Sequence, residues 1–189
     1  MKKNILSKIK ISPFSVNYAQ SKGVSNRMLI HYASKGTLIR LSQGMYAFPD
    51  SLTFDFEGLT KEKLAQAPQG ILGMNSALKM YGLTEDDLAE IEIMVPESNV
   101  PKKKMEDVKF YSVADHLFKE GISKVRGIKV TTIERTIVDI LKRKGLAKDV
   151  REIIIKAQQK KIKINFSELK RLVLLFRVHS KFKSIIENL

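Results

Sequence analysis

The feature that most constrains this chain is the run of residues 14–48, FSVNYAQSKGVSNRMLIHYASKGTLIRLSQGMYAF, which two serine-to-glycine brackets divide. Ser15 is placed to cap a short helix that Gly23 closes, and Ser25 to cap a second that Gly36 closes. A serine oxygen at an N-cap takes an amide that would otherwise lack a partner, and glycine takes the left-handed conformation past a helix end without steric cost. On the second helix Leu29, Tyr32 and Ala33 fall on one side as an inward apolar stripe. Arg27, Ile30, His31, Ser34 and Lys35 fall elsewhere on its circumference, free to face a ligand. TLIRLSQGMYAF follows at once, two short runs rich in β-branched and aromatic residues around Ser42-Gln43-Gly44, the pattern of a hairpin. Helix, glycine turn, helix, hairpin is the order of a winged helix-turn-helix. Such a unit enters the major groove with its second helix, N-terminus first, and sets the hairpin tip near a phosphate backbone.

A helical hairpin and ribbon that merely pack together compete with this reading, and charge separates the two. Residues 1–50 hold eight Lys or Arg (Lys2, Lys3, Lys8, Lys10, Lys22, Arg27, Lys35, Arg40) against one acid, Asp50. Clustered cations are the electrostatic footprint of a polyanion partner. The residues themselves offer Lys22, Arg27, Ile30, His31, Ser34 and Lys35 around the second helix, with Arg40 on the wing, as DNA contacts. Ile30 also suits a half-buried rim position, and His31 a solvated surface one.

The whole chain, 189 residues with a net charge of +14, suits one larger or two small domains and can bury a real core. Its charge is unevenly spread: +7 over residues 1–50, −6 over 51–100 and +13 over 101–189. Cysteine is absent, so disulfides and thiolate zinc sites are excluded, in keeping with a reducing cytoplasm. MKKNILSKIK opens with a basic flank but no signal-length apolar run follows, and no stretch approaches a membrane span. The expectation is a soluble cytoplasmic protein with no membrane partner.

In chain order, residues 3–10 suit a brief helix with Ile5, Leu6 and Ile9 on its apolar face, ended by Pro13. The winged unit stops near Pro49-Asp50, and a stretch punctuated by Gly58, Pro68 and Gly70 places a domain boundary near residue 53. This makes residues 1–52 the helix-turn-helix domain and 53–189 a second domain. In the latter, ILGMNSALKMYGL (71–83) reads as a helix closed by Gly82, with Leu72, Ala77, Met80 and Tyr81 inward. IEIMVP (91–96), VKFYSV (108–113) and RGIKVTTI (126–133) read as strands. The last third carries four apolar stripes at helical steps: Ile133, Ile137, Ile140 and Leu141; Val150, Ile153, Ile154 and Ala157; Leu169, Leu172, Val173 and Phe176; Phe182, Ile185, Ile186 and Leu189. The expected class is α+β, a winged helix-turn-helix followed by an α/β domain with a small sheet and several helices.

The chemistry of an enzyme is hard to find. His31, His116 and His179 are too far apart in sequence for a local metal motif, and neither a phosphate-cradling glycine loop nor a GxSxG elbow occurs. EDDLAEIE (85–92) looks like the acidic first turn of a helix. The expectation is no catalytic residue, no metal and no cofactor. TTIERTIVD (131–139) is sharper: Thr131 and Glu134 have the spacing of a capping box, and Arg135 and Asp139, four apart, share a face. That order of charges is the weaker one on a helix, about a few tenths of a kcal/mol, so the stretch reads as a helix start rather than an active site. KRKGLAK (142–148) and KKIK (160–163) lie near helix ends, where the dipole favours cations; a nucleic-acid-facing patch is the competing reading.

KGVSNRMLIHYASKGTLIRLSQGMYAFP resembles the N-terminal winged-helix module of the AbiEi family of antitoxins, the transcription-regulating half of type IV toxin–antitoxin systems. SALKMYGL, IEIMVP, a basic loop and GIKVTTIERTIVDIL follow in the order of that family, and the likeness spans roughly residues 12–178. The winged module alone is shared by many regulators; its combination with SALKMYGL and TTIERTIVD is more specific. The resemblance implies a repressor that binds inverted-repeat operator DNA upstream of its own operon, with Ser25, Asn26, Arg27, Ile30 and His31 at the groove-reading helix and Arg40 and Gln43 at the wing. It also implies opposition to a nucleotidyltransferase-type toxin without a stable complex, in a system tied to abortive phage infection. Under it Lys102, Lys103, Lys104, Lys142 and Arg143 form the first candidate antitoxin surface. The chain departs from the family in its very short first helix and in having Ile30 and Ser34 where charges often stand. Two other classes stay open: a winged-helix regulator whose C-terminal domain senses a ligand, and a nucleic-acid enzyme with clustered carboxylates.

Overall fold

The computed structural model describes residues 5–51, 55–86, 88–102, 104–143 and 147–186, and the chain divides into two compact units, Met1–Pro68 and Gln69–Leu189. It is a mixed α and β protein of the α+β kind.

The first unit opens with a 3-10 turn, Ile5–Lys8, shorter than the helix expected over 3–10, of which residues 3 and 4 lie outside the described ones. Leu6 and Ile9 are buried as that reading had it. Strand β1 (Phe14–Ser15) leads into α1 (Val16–Ser21) and α2 (Asn26–Ser34). Ser15 accepts from the Tyr18 amide at 3.2 Å and Ser25 from the Met28 amide at 3.3 Å, each capping its helix. Both helices end in the same way. Gly23 (φ +83°) and Gly36 (φ +71°) sit in the left-handed region, and the next amides reach back, Val24 N–H to Ala19 O and Thr37 N–H to Tyr32 O. β2 (Ile39–Ser42) and β3 (Met45–Ala47) form the hairpin, turning at Gln43-Gly44. β1 pairs with β3 on its other side, Phe14 opposite Tyr46, so the ribbon is a three-stranded antiparallel sheet in the order β1-β3-β2. Leu6, Ile9, Phe14, Ala19, Val24, Leu29, Leu38 and Tyr46 are its core. Full burial of a side chain such as Leu29 contributes about 2 kcal/mol, enough in sum for a small unit.

The first unit runs past the boundary expected near residue 53. α3 (Phe56–Gln66), capped by Asp55 accepting from the Gly58 amide at 2.8 Å, packs against β2, so the division falls after Pro68. The punctuation at Gly58 lies inside this helix, where the residue is buried.

The second unit is built on a five-stranded mixed sheet of order β6-β5-β4-β8-β7. Its strands are β4 (Ile71–Leu72), β5 (Ile91–Pro96), β6 (Val108–Val113), β7 (Ile122–Val125) and β8 (Ile128–Thr131). β5 runs parallel to β6 and β4 parallel to β8, while the β4–β5 and β7–β8 pairs are antiparallel. Three strands were expected, and five are found among the described residues. The segment 71–83, read as one helix, is split: Ile71–Leu72 is the central strand, and only Met74–Met80 is helical, as α4. Gly73 makes the break, and a Cβ there would lie 2.3 Å from Met94 Cγ, so any larger residue would have to displace the Met94 side chain. EDDLAEIE is not a helix start either. Residues 85, 86 and 88–90 are irregular and Ile91-Glu92 already belong to β5, while Asp87 lies outside the described residues. An acid from β5 serves a helix instead: Glu92, buried, accepts from the Asn75 amide at 2.7 Å and so caps α4.

β6 leads through α5 (Asp115–Phe118) into the β7–β8 hairpin, turned by Arg126-Gly127 with both φ positive. α6 (Ile133–Arg143) then runs through the middle of the helical layer, packed by α4, by α7 (Ala147–Gln159) and by α8 (Phe166–Leu175). α9 (His179–Ile186) packs on α7 and α8. Every residue from Ile133 to Leu141 is buried, polar ones included. The expected stripes of α7 and α8 are all in the core, as is Phe182; the side chains of Ile185, Ile186 and Leu189 lie outside the described set. Among the described residues no helix is long and apolar enough to cross a membrane.

Candidate functional site

Helix α2 has one buried residue, Leu29, with Met28, Tyr32 and Ala33 partly buried against the same core. The rest of its circumference is open. Lys22, Ser25, Asn26, Arg27, Ile30, His31, Ser34 and Lys35 are all exposed, and so are Arg40 and Gln43 on the hairpin. The structure therefore brings the first eight together on one helix and the turns at its ends, with the other two on the adjoining ribbon. Ile30, 52% exposed, is not a half-buried rim residue; it is an apolar side chain on a polar face. Some members have local work. Ser25 spends its oxygen on the cap, Ser34 Oγ donates to His31 O at 2.8 Å, and Lys22 Nζ lies 5.4 Å from the Tyr18 ring centroid. Asn26, Arg27, Ile30, His31 and Lys35 present exposed side chains on that face.

Of the five cations suggested as a second surface, the described ones fall in two places. Lys103 lies outside the described residues. Lys104 lines a shallow depression with Glu90, Glu106 and Asp107, next to the start of β6. Arg143 donates to Ser112 O near the other end of the same strand. At ~3.3 Å per residue the two places are separated by roughly 15 Å. Lys102 is exposed on the loop before β6, and Lys142 is exposed beside Arg143 at the end of α6.

TTIERTIVD folds differently from its spacing. Thr131 ends β8, and its hydroxyl pairs with that of Thr136 at 2.7 Å. Thr132 caps α6, accepting from the Arg135 amide at 3.2 Å. Glu134 does not reach back to form a capping box; its Oε1 accepts from the Asn165 amide at 2.7 Å, ahead of α8. The reason is that residue 131 is still in the sheet, paired with Ile122, so the helix starts one residue later than the box requires. Arg135 and Asp139 do pair, Nε to Oδ2 at 2.8 Å, but in the interior, at 1% and 2% exposure. Arg135 Nη1 also donates to Leu117 O at 3.0 Å and Glu120 O at 2.7 Å, and its guanidinium lies 4.1 Å from the Phe176 ring centroid. Burial pushes the Asp139 carboxyl above its ordinary range, and the Arg135 charge opposes that rise. Burial likewise lowers Arg135, with the Asp139 charge opposing.

Asp139 also lines a cleft of about 570 Å³ with Glu97, Tyr111, Lys142, Arg143 and Phe176. Arg143 sits 4.9 Å from the Tyr111 ring centroid and Lys142 Nζ 5.5 Å from that of Phe176, cation–π distances. Sequence reading found the two cations and the acid but missed Glu97, Tyr111 and Phe176. They come from separate elements and carry no shared motif. His116 and His179 are exposed and, among the described residues, no group of three or more His, Cys, Asp or Glu is arranged to hold a metal ion.

No family model matches the chain, and no curated protein matches it in sequence. Among solved structures, the crystal structure of the RV2827C protein from Mycobacterium tuberculosis aligns with a TM-score of 0.60. The alignment covers 89% of this chain and 68% of that one at 13% identity, a likeness of fold.

Proposed function

We propose that the chain is a DNA-binding transcription regulator whose first unit works as a winged helix-turn-helix. The observation that carries this reading is the outer face of α2: a capped helix of nine residues with Asn26, Arg27, Ile30, His31 and Lys35 all exposed, next to a hairpin that exposes Arg40. Asn26 and Arg27 lie in the first turn, the part of a recognition helix that meets base edges, where bidentate amide and guanidinium contacts discriminate bases. Ile30 suits a thymine methyl, and Arg40 a phosphate. The resemblance of residues 12–178 to AbiEi antitoxins extends the proposal. The regulator represses its own type IV toxin–antitoxin operon through an inverted repeat and opposes a nucleotidyltransferase-type toxin without a stable complex. It acts in the cytoplasm and has no catalytic activity of its own. A second reading, a regulator whose second unit senses a ligand, is favoured by the 570 Å³ cleft and shares the DNA-binding half.

Fluorescence anisotropy on duplexes from the DNA upstream of the reading frame tests the reading. Affinity should fall steeply with salt as bound cations release counterions. Arg40→Ala should flatten the salt slope by about one unit for all sequences alike, while Asn26→Ala and Arg27→Ala should each blunt sequence preference by about 1–3 kcal/mol. Affinity indifferent to salt and to all three changes removes the DNA-binding reading. Rescue of cells expressing a neighbouring nucleotidyltransferase-like gene tests the antitoxin half separately.

A further inference from the structure

The cleft beside Asp139 lies where a mixed sheet most readily takes a ligand. β5 and β6 are parallel, Glu97 directly follows β5, and Tyr111 to Val113 form the carboxyl end of β6, with Ala114 just past it. The crevice outside the carboxyl ends of parallel strands is the recurrent ligand position in open α/β sheets. Its volume, about 570 Å³, is that of a small-molecule pocket.

Lys142 and Arg143 stand in the last turn of α6, where cations relieve the helix dipole. Dipole relief, however, requires neither the cavity nor the aromatic faces. Arg143 is held over Tyr111 and tied to Ser112 O, and Lys142 is held over Phe176, whose ring also carries Arg135. Cations held in this way lose little further freedom on binding an anion. On the same cleft sit two carboxylates, Glu97 exposed and Asp139 buried with its Oδ2 taken by Arg135, and when ionised both only accept hydrogen bonds. A simple anion would meet repulsion from them. A molecule with an anionic end and hydrogen-bond donors a few ångströms away matches both.

We propose that this cleft binds a mononucleotide, with its phosphate held by Lys142 and Arg143 and its sugar or base donors by Glu97 and Asp139. The site belongs to the second unit, and the proposal does not rest on the DNA-binding reading.

The test is calorimetric titration of the full chain with adenosine, guanosine, cytidine and uridine 5′-monophosphates, alongside the free nucleosides and inorganic phosphate. The expected result is saturable one-to-one binding of at least one nucleotide. Its nucleoside and phosphate alone should each bind at least tenfold more weakly. Lys142→Ala and Arg143→Ala should each weaken the nucleotide tenfold or more. Lys124→Ala, which lies on a different surface cavity, should leave it unchanged. In the unmutated protein, nucleotide-induced NMR shifts should centre on Tyr111, Asp139, Lys142, Arg143 and Phe176, which keeps the proposal testable if a variant folds poorly. Three results overturn it: no saturable binding of any of the four, binding as tight for phosphate alone, or shifts centred on residues 22–43 instead.

Discussion

The interior ion pair of α6 makes the sharpest prediction about what holds the second unit together. Exposed Arg and Asp four residues apart on a helix contribute about 0.2–0.5 kcal/mol. Arg135 and Asp139 are 1% and 2% exposed, so the relevant comparison is with breaking a buried pair, about 3–5 kcal/mol. Asp139→Leu strands the guanidinium, although Leu117 O and Glu120 O still accept from it, and should cost about 3 kcal/mol. Arg135→Met strands Asp139 and those two carbonyls together and should cost about 5 kcal/mol. The double variant removes both charges, so the two losses should fall short of additive by about 2 kcal/mol or more. A pH signature follows. Burial already raises Asp139 in the folded state, and without Arg135 only the weaker opposing charges of Arg143 and Lys142 remain against that rise. A carboxyl raised on folding favours the folded state below its unfolded value and loses that advantage as pH climbs through its folded value. The deficit of Arg135→Met should therefore shrink as pH is lowered from about 7.5 toward about 4, the ordinary carboxylate value. Urea unfolding of the full chain, with hydrogen exchange read on α6 peptides, measures both effects. Additive losses, or a cost below about 1 kcal/mol for Asp139→Leu, would show that the pair behaves as a surface one.

Gly121→Ala should destabilise the second unit by about 2–4 kcal/mol in the same urea assay. Residue 121 has φ +58°, and the new Cβ would lie 2.6 Å from Arg135 Cβ. Gly73→Ala should cost about 1–3 kcal/mol and be non-additive with Met94→Ala, because its Cβ collides with the Met94 side chain rather than straining φ. Glu134→Ala should cost about 1.5–3 kcal/mol by removing the acceptor of the Asn165 amide, with faster hydrogen exchange at that amide. Glu134→Gln, which keeps an acceptor, should recover most of that loss.

The first unit was readable because its signals are local. Ser15 and Ser25 cap the helices and Gly23 and Gly36 close them, and none of these depends on a distant partner. What was missed depends on partners. β1 is two residues long and exists because Tyr46 and Met45 lie opposite it. β4, also two residues, is apolar throughout and runs into a helical pattern, so periodicity could not part it from α4. β7 escaped because its hairpin turns on Arg126-Gly127, with arginine at a left-handed position where Asn or Asp is the usual signal. The boundary slipped for a similar reason: Gly58 punctuates the sequence but is buried within α3.

The same contrast runs through the candidate sites. The outer face of α2 was legible because exposure on a helix follows its period. The cleft was not, because Glu97, Tyr111, Asp139 and Phe176 come from four segments that only the sheet and α8 bring together. Spacing alone could not rank the ion pairs either. Lys61 with Glu57, Lys156 with Glu152 and Arg135 with Asp139 are all four residues apart, at 2.6, 2.7 and 2.8 Å. The first is half-buried, the second largely solvated and the third in the core. One signal in the chain does separate them. Lys156 and Glu152 share a helix with Gln158, Gln159 and further charges, so that helix keeps a wet face. Around Asp139 stand Ile137, Val138, Ile140 and Leu141, apolar on both sides of the acid and wider than a single stripe. A helix apolar around most of its circumference is buried around most of it, and its charges go in with it. Such charges need partners that cover their remaining hydrogen-bonding positions. In this chain the carbonyls of Leu117 and Glu120 and the ring of Phe176 supply them.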